Sequence, residues 1–92
     1  MLARTAVKLR ITGLVHGVFF RASMAELATN HRVSGWVRNM TDGSVQAFLE
    51  GDDEKVMRIV EWAKRGPPRA RVDSVRVERV RVKNSKSFRI EG

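Results

Sequence analysis

The residues best equipped for chemistry lie in one uninterrupted stretch, Gly13-Leu14-Val15-His16-Gly17-Val18-Phe19-Phe20-Arg21. Glycines at both bends allow a tight loop, and such a loop aims several backbone N–H groups at one point. Behind it an amphipathic run, Ala22 to His31, starts a helix whose first N–H groups have no partner within the helix. Loop and helix end together make an anion site, and phosphate is its usual occupant. Arg21 closes the stretch with a guanidinium that can fork onto two phosphate oxygens. The stretch has neither the Gly-Lys-Ser/Thr of a P-loop nor a G-x-G-x-x-G dinucleotide fingerprint. On residue types alone it reads equally as a plain strand-to-helix turn with an incidental arginine.

The flanking patterns say which elements must hold this stretch. Residues 6–13 alternate, with Val7, Leu9 and Ile11 on one side and Lys8, Arg10 and Thr12 on the other, as in a half-buried strand. Phe20, Met24, Leu27, Ala28 and His31 fall on one face of the following helix. Gly35 to Asn39 reads as a second strand. Asp42-Gly43 marks a hairpin turn, and Ser44 to Glu50 alternates again, so Asn39 stands near the end of a hairpin. Asp52 is an N-cap candidate for a second helix with the stripe Val56, Ile59, Val60 and Ala63. Gly66 supplies a left-handed stop and Pro67-Pro68 forbid continuation. The run Val72, Val75, Val77, Val80, Val82 slips phase near Asp73-Ser74 and near Glu78-Arg79, which predicts a bulge or a strand broken in two. After a turn at Asn84 to Ser87, Phe88 and Ile90 mark a short last strand.

The order βαββαβ plus a terminal strand predicts an α+β sandwich of the ferredoxin-like kind, two helices on one face of a mostly antiparallel sheet. The expected core strand order is 4-1-3-2, with the last strand at an edge. The chain's 92 residues form one expected domain, 1–92. It has no cysteine, which excludes disulfides and thiolate catalysis, and its two histidines lie far apart, which argues against a metal site. No apolar run approaches the ~20 residues of a membrane span. The N-terminus, Met1-Leu2-Ala3-Arg4-Thr5, lacks the apolar core of a signal peptide. The expected location is therefore cytoplasmic. Net charge is +8 and the pI about 11.3. That balance favours anionic partners, although the basic residues are scattered and form no tail.

Two separated segments resemble one family. Gly13 to Arg21 is similar to the acylphosphatase loop, G-x-V-(Q/H)-G-V-x-F-R, and Gly35-Trp36-Val37-Arg38-Asn39 with Asp42-Gly43-Ser44-Val45 is similar to that family's G-W-V-x-N-x-x-D-G-x-V. The resemblance continues through Gly51, Trp62, Gly66-Pro67-Pro68 and Phe88. It implies hydrolysis of a carboxyl–phosphate mixed anhydride to a carboxylate and inorganic phosphate. It puts the phosphate-binding arginine on Arg21 and the water-positioning asparagine on Asn39. The phosphate cradle falls on the backbone of Val15, His16, Gly17, Val18, Phe19 and Phe20. It also implies no metal, no cofactor and no covalent intermediate. The expected partners are a small acyl phosphate, with phosphate or sulfate as site ligand. No specific nucleic acid and no membrane are expected, and the chain is expected to be a monomer. In one departure, Arg32 stands where a glycine commonly ends the first helix, which shifts the expected stop or rests it on Asn30 in the left-handed conformation.

The residues suit that chemistry. An acyl phosphate expels a carboxylate of low pKa, so no general acid is needed, and a nest of N–H groups with Arg21 can neutralise the phosphoryl oxygens. Asn39 can bond and orient water but cannot take its proton near neutral pH. His16 is the alternative nucleophile or base, but its family position tolerates glutamine, which can do neither. Trp36, Phe19 and Phe20 form an alternative base-stacking set on an RNA-recognition fold. Against it, the first strand has no aromatic, and Phe20 falls on the helix stripe while Trp36 is expected to pack.

Overall fold

A computed structural model describes residues 4–92. Met1 to Ala3, read above as part of an N-terminus without a signal peptide, lie outside the described residues. Strand β1 (Arg4–Leu14) leads through the glycine-flanked loop into helix α1 (Phe20–Asn30). Strands β2 (Ser34–Asn39) and β3 (Val45–Asp52) form the hairpin, helix α2 (Asp53–Ala63) follows, and β4 (Arg71–Arg79) and β5 (Phe88–Glu91) complete the sheet.

The sheet order is β4-β1-β3-β2-β5. The neighbours are antiparallel except β2 and β5, which run parallel at the edge. This is the expected 4-1-3-2 core with the last strand outermost. Both helices cover one face. Val7, Leu9 and Ile11 of β1, Val45, Ala47 and Leu49 of β3, and Val37 of β2 meet Phe20, Met24 and Ala28 of α1 and Val56, Ile59, Val60 and Ala63 of α2. Period two on the strands and period 3.6 on the helices put these residues on facing surfaces, so one continuous core results. Phe20 is buried, with its ring centroid 5.2 Å from that of half-buried Trp62. The other face carries a smaller layer. Trp36 stacks on Phe48 at 6.4 Å, with the Arg38 guanidinium 4.7 Å from the Trp36 ring centroid and Lys83 Nζ 5.2 Å from that of Phe48. Trp36 therefore packs as expected, and Trp36, Phe19 and Phe20 point to three different places rather than forming a stacking platform.

Several boundaries differ from the expected ones for physical reasons. Strand β3 runs past Glu50 to Asp52, pairing Thr5 with Gly51 and Arg4 with Asp52, so the strand enters α2 without a loop. Asp52 is both the last strand residue and the N-cap, accepting from Glu54 N at 3.3 Å. The first phase slip in β4 is a bulge: Thr12 pairs with Ser74 and Gly13 with Val72, leaving Asp73 extra. The second slip is the end of the strand at Arg79. Asn30 is not the left-handed residue that ends α1. Arg32 takes that place at φ 57, with Val33 N donating to Ala28 O at 2.8 Å and Arg32 N to Thr29 O at 3.2 Å. That is a Schellman closure built on an arginine, and the two bonds it supplies hold a conformation that costs a side-chain-bearing residue free energy. His31, read as the end of the buried stripe, is the C-cap and only half-buried. Gly66 stops α2 at φ 73, where a Cβ would lie 2.8 Å from Phe20 Cε2.

One buried charge escaped the sequence reading. Glu50, with no exposed surface, accepts from Arg4 Nη2 at 2.9 Å and from the backbone N–H groups of Lys83 (3.1 Å), Asn84 (2.9 Å) and Ser85 (3.3 Å). It gathers the irregular connection from β4 to β5 onto the sheet.

Candidate active site

The Gly13–Arg21 stretch turns sharply at the end of β1 and frames a cleft of 310 Å³ lined by Val15, Gly17, Phe19, Phe20, Arg21, Ala22, Asn39 and Ile90. Alternate anchoring explains the shape of the loop. Val15, Val18 and Phe20 bury their side chains in the core, which leaves the intervening backbone at the surface. Gly17 at φ 72 and Phe19 at φ 66 are both left-handed. Nothing lies within 4 Å of a Cβ built on Gly17, so glycine is required there by conformation rather than by space.

The loop delivers unpaired donors. Phe19 is the N-cap of α1, provides no side-chain cap, and no acidic residue follows in the first turn. The first intrahelical bond runs from Ser23 N to Phe19 O at 3.0 Å, so the N–H groups of Phe20, Arg21 and Ala22 precede the helical ladder. Among the described residues, the backbone bonds outside the helices and strands include none donated by residues 15–20. These N–H groups, the helix dipole and a first turn without an acidic residue favour an anion. Arg21, in the first turn, lines the same cleft, and its Nη1 donates to Gly92 O at 3.4 Å.

Asn39 enters from the sheet. It ends β2, paired with Val45, and its Oδ1 is buried without a hydrogen-bond partner. An orphaned buried acceptor at the edge of an anion cradle is an observation that calls for a ligand. Arg21 and Asn39, 18 residues apart in sequence, thus line one cleft.

His16 does not line the cleft. Its Nε2 lies 2.9 Å from Ser44 O in the β2–β3 hairpin, tying the loop to the turn. That turn is itself braced. Asp42 Oδ1 accepts from Ser44 N at 2.9 Å and Ser44 Oγ at 2.6 Å, and Asp42 Oδ2 pairs with Arg10. The two bonds from Ser44, joined by the Arg10 guanidinium, hold the Asp42 carboxyl down to about 2. Val18 also stays out of the cleft, its side chain being in the core. Ile90 and Ala22 line the cleft, although the sequence pattern marks neither as a site residue. The signal for Ile90 was its place two residues after Phe88 on a strand destined for the edge beside β2. Among the described residues, no three His, Cys, Asp or Glu side chains come together as a metal site would require. No helix there is long and apolar enough to cross a membrane.

A glycine-bent loop that opens a helix with an arginine in its first turn, on a ferredoxin-like sheet with an asparagine at the hairpin end, is the arrangement of this α+β class. The chain matches the sequence profile of the acylphosphatase family over residues 7–90. It is similar to the acylphosphatase of Thermococcus kodakarensis, 45% identical over 89 residues that make up 97% of this chain and 98% of that one. It is also similar to that of Pyrobaculum islandicum, 55% identical over 71 residues, 76% of this chain and 75% of that one. The solved structure of an acylphosphatase from Coxiella burnetii superposes with a TM-score of 0.92 at 34% identity, covering 96% of this chain and 93% of that one. The chain belongs to the acylphosphatase family.

Proposed function

We propose that the cleft holds the phosphoryl group of an acyl phosphate against the N–H groups of the Val15–Phe20 loop and the Arg21 guanidinium, while Asn39 positions the attacking water. The reaction is that of the family: hydrolysis of the carboxyl–phosphate bond to a carboxylate and inorganic phosphate. The observation that carries the water assignment is the bare Asn39 Oδ1. A buried carbonyl oxygen needs a donor, and a water O–H is the donor that the cleft admits. The water oxygen attacks phosphorus, the bond to the acyl oxygen breaks, and the carboxylate leaves with the electron pair. Charge on the equatorial oxygens meets preorganised N–H dipoles and the guanidinium fork. Among the described residues, the cleft lining carries no carboxylate or imidazole side chain, and the water's proton passes to phosphoryl oxygen or to solvent.

Inorganic phosphate and sulfate should bind in the same cradle, as the phosphoryl end is what it is shaped for. All the assigned groups belong to one chain, so a monomer suffices, and we infer one domain over residues 1–92 acting in the cytoplasm on a small substrate. Asn39→Ala tests the assignment. The variant should keep its phosphate inhibition constant within a few-fold and lose roughly 10²–10³ in kcat, the usual effect of removing one preorganised polar group. A folded Asn39→Ala protein with near-normal kcat would overturn the water-positioning role.

A further inference from the structure

We propose that Phe19 is the acyl-group contact of the cleft and makes the enzyme selective for acyl phosphates whose acyl group is apolar, aromatic above all. The proposal rests on the hydrolytic reading above and adds the substrate class to it.

Phe19 is held in a way that folding alone does not explain. It is 69% exposed and left-handed at φ 66. A bulky aromatic there loses twice, once by leaving its ring in water and once by backbone strain. Its neighbours Val18 and Phe20 are buried, so the core does not need the Phe19 ring. It also serves poorly as a helix N-cap, since it has no side-chain acceptor to offer. What the position does achieve is to stand an aromatic ring on the wall of the phosphate cleft.

The rest of that wall agrees. Apart from Arg21 and Asn39, the lining side chains are Val15, Phe20, Ala22 and Ile90, with the bare backbone of Gly17, and none can bond or pair with a polar acyl group. With the phosphoryl group in the cradle, the acyl oxygen departs in line, on the side of phosphorus away from the water. Ile90 pairs with Val37, two residues before Asn39 on β2, so it shares the sheet wall with the water-positioning residue. Phe19 comes from the loop instead, and it is the more exposed of the two apolar side chains. It is the one placed to meet the leaving carboxylate's substituent, face or edge against an aryl ring.

The test compares kcat/KM for benzoyl, acetyl and succinyl phosphate in the wild type, Phe19→Gly and Phe19→Ala, with inorganic phosphate inhibition measured on each. Glycine takes φ 66 without strain, so Phe19→Gly removes the ring while keeping the loop conformation. The wild type should prefer benzoyl over acetyl phosphate and discriminate against the anionic succinyl group. In Phe19→Gly the benzoyl kcat/KM should fall about tenfold or more, the scale of a lost apolar pocket contact. The benzoyl-to-acetyl ratio of kcat/KM should fall by that factor, since any change in the cradle itself is common to both substrates and is read separately from phosphate inhibition. Equal losses on benzoyl and acetyl phosphate would make Phe19 a loop-shaping residue and overturn the proposal, as would no loss on either or a preference for succinyl phosphate. Failure of the wild type to hydrolyse any of the three would instead defeat the hydrolytic reading beneath it.

Discussion

Replacing Glu50 by glutamine keeps the shape of the side chain and removes its charge, and the structure says how much that should cost. Oε1 accepts from Lys83 N and Ser85 N, and Oε2 accepts from Arg4 Nη2 and Asn84 N. A glutamine carbonyl can serve one of these pairs, and its NH2 then faces the other two donors. Bonds to a charged acceptor are worth about 1.5 kcal/mol or more each. Arg4, half-exposed, can turn to water and recover its share, so the net loss is roughly 2–3 kcal/mol. For a domain of this size that lowers Tm by roughly 10–20 °C at neutral pH. The pH dependence has a definite sign. Burial raises the Glu50 pKa, but the bonds from Arg4 and from the N–H groups of Lys83, Ser85 and Asn84 outweigh it, leaving the folded carboxyl below its ordinary 4.5. Its stabilisation is therefore complete above about 4.5 and is lost as pH falls through the lower folded value. The Tm gap between wild type and Glu50→Gln should be widest near neutrality and close only in acid. Asp42, held at about 2, adds acid sensitivity to both proteins and cancels in the difference. Thermal melts from neutral pH to about pH 3, with amide exchange at Lys83, Asn84 and Ser85, make the measurement. Equal Tm at neutral pH, or a gap unchanged in acid, would refute the anchoring role.

Arg21→Ala should lose turnover and phosphate inhibition together, because in the proposed arrangement one guanidinium holds the phosphoryl group before and during the reaction, and Arg21→Lys should restore little, a point charge being no fork; kcat and phosphate Ki on both variants decide. His16→Gln should retain kcat within about threefold, since an amide can still bond Ser44 O, whereas His16→Ala should raise KM and phosphate Ki by loosening the loop. A dead but folded His16→Gln protein would return the imidazole to the chemistry. Arg32→Gly should raise stability by about 0.5–1 kcal/mol, read as a Tm increase of a few degrees, because φ 57 then carries no side chain.

How much was legible in the sequence follows from how local the determining physics is. The Phe20–Met24–Ala28 stripe, the Asp52 cap, the Gly66 stop and the hairpin at Asp42-Gly43 each depend on residues within a turn or two, and each stands where the pattern put it. Arg21 and Asn39 were legible because their neighbours form long motifs, and the strand order then brings them to one cleft. Of the two stops the pattern allows, a shifted one or one resting on Asn30, asparagine is the residue that adopts the left-handed conformation more readily, but the chain's own closing bonds, Val33 N to Ala28 O and Arg32 N to Thr29 O, put that conformation on Arg32. Glu50 could not be read at all. A glutamate at the end of an alternating strand looks solvated, and its backbone donors arrive from 33 to 35 residues later in a connection without regular structure. The pattern puts Phe19 in the cradle or in a stacking set and not on an exposed cleft wall, because exposure and the sign of φ are properties of the folded backbone.

The two ends of the cleft are built by opposite means, and the difference matches the demands of the reaction. At the phosphoryl end the backbone is pinned from several sides: Val15, Val18 and Phe20 by the core, His16 by Ser44, Ser44 by Asp42, and Asp42 by Arg10. N–H groups held this way need not reorganise as charge develops, and preorganisation of that kind lowers a barrier rather than merely binding substrate. At the proposed acyl end the wall is an exposed ring and an exposed edge-strand isoleucine, Phe19 and Ile90, and the polar side chains among the described lining residues are those of Arg21 and Asn39. Such a surface can recognise a substituent but cannot protonate a leaving oxygen. A carboxylate departs unaided and so suits a wall of that kind. The cradle and the apolar acyl wall proposed above together suit one substrate chemistry, a mixed anhydride whose phosphoryl half is held and whose carboxylate half is released.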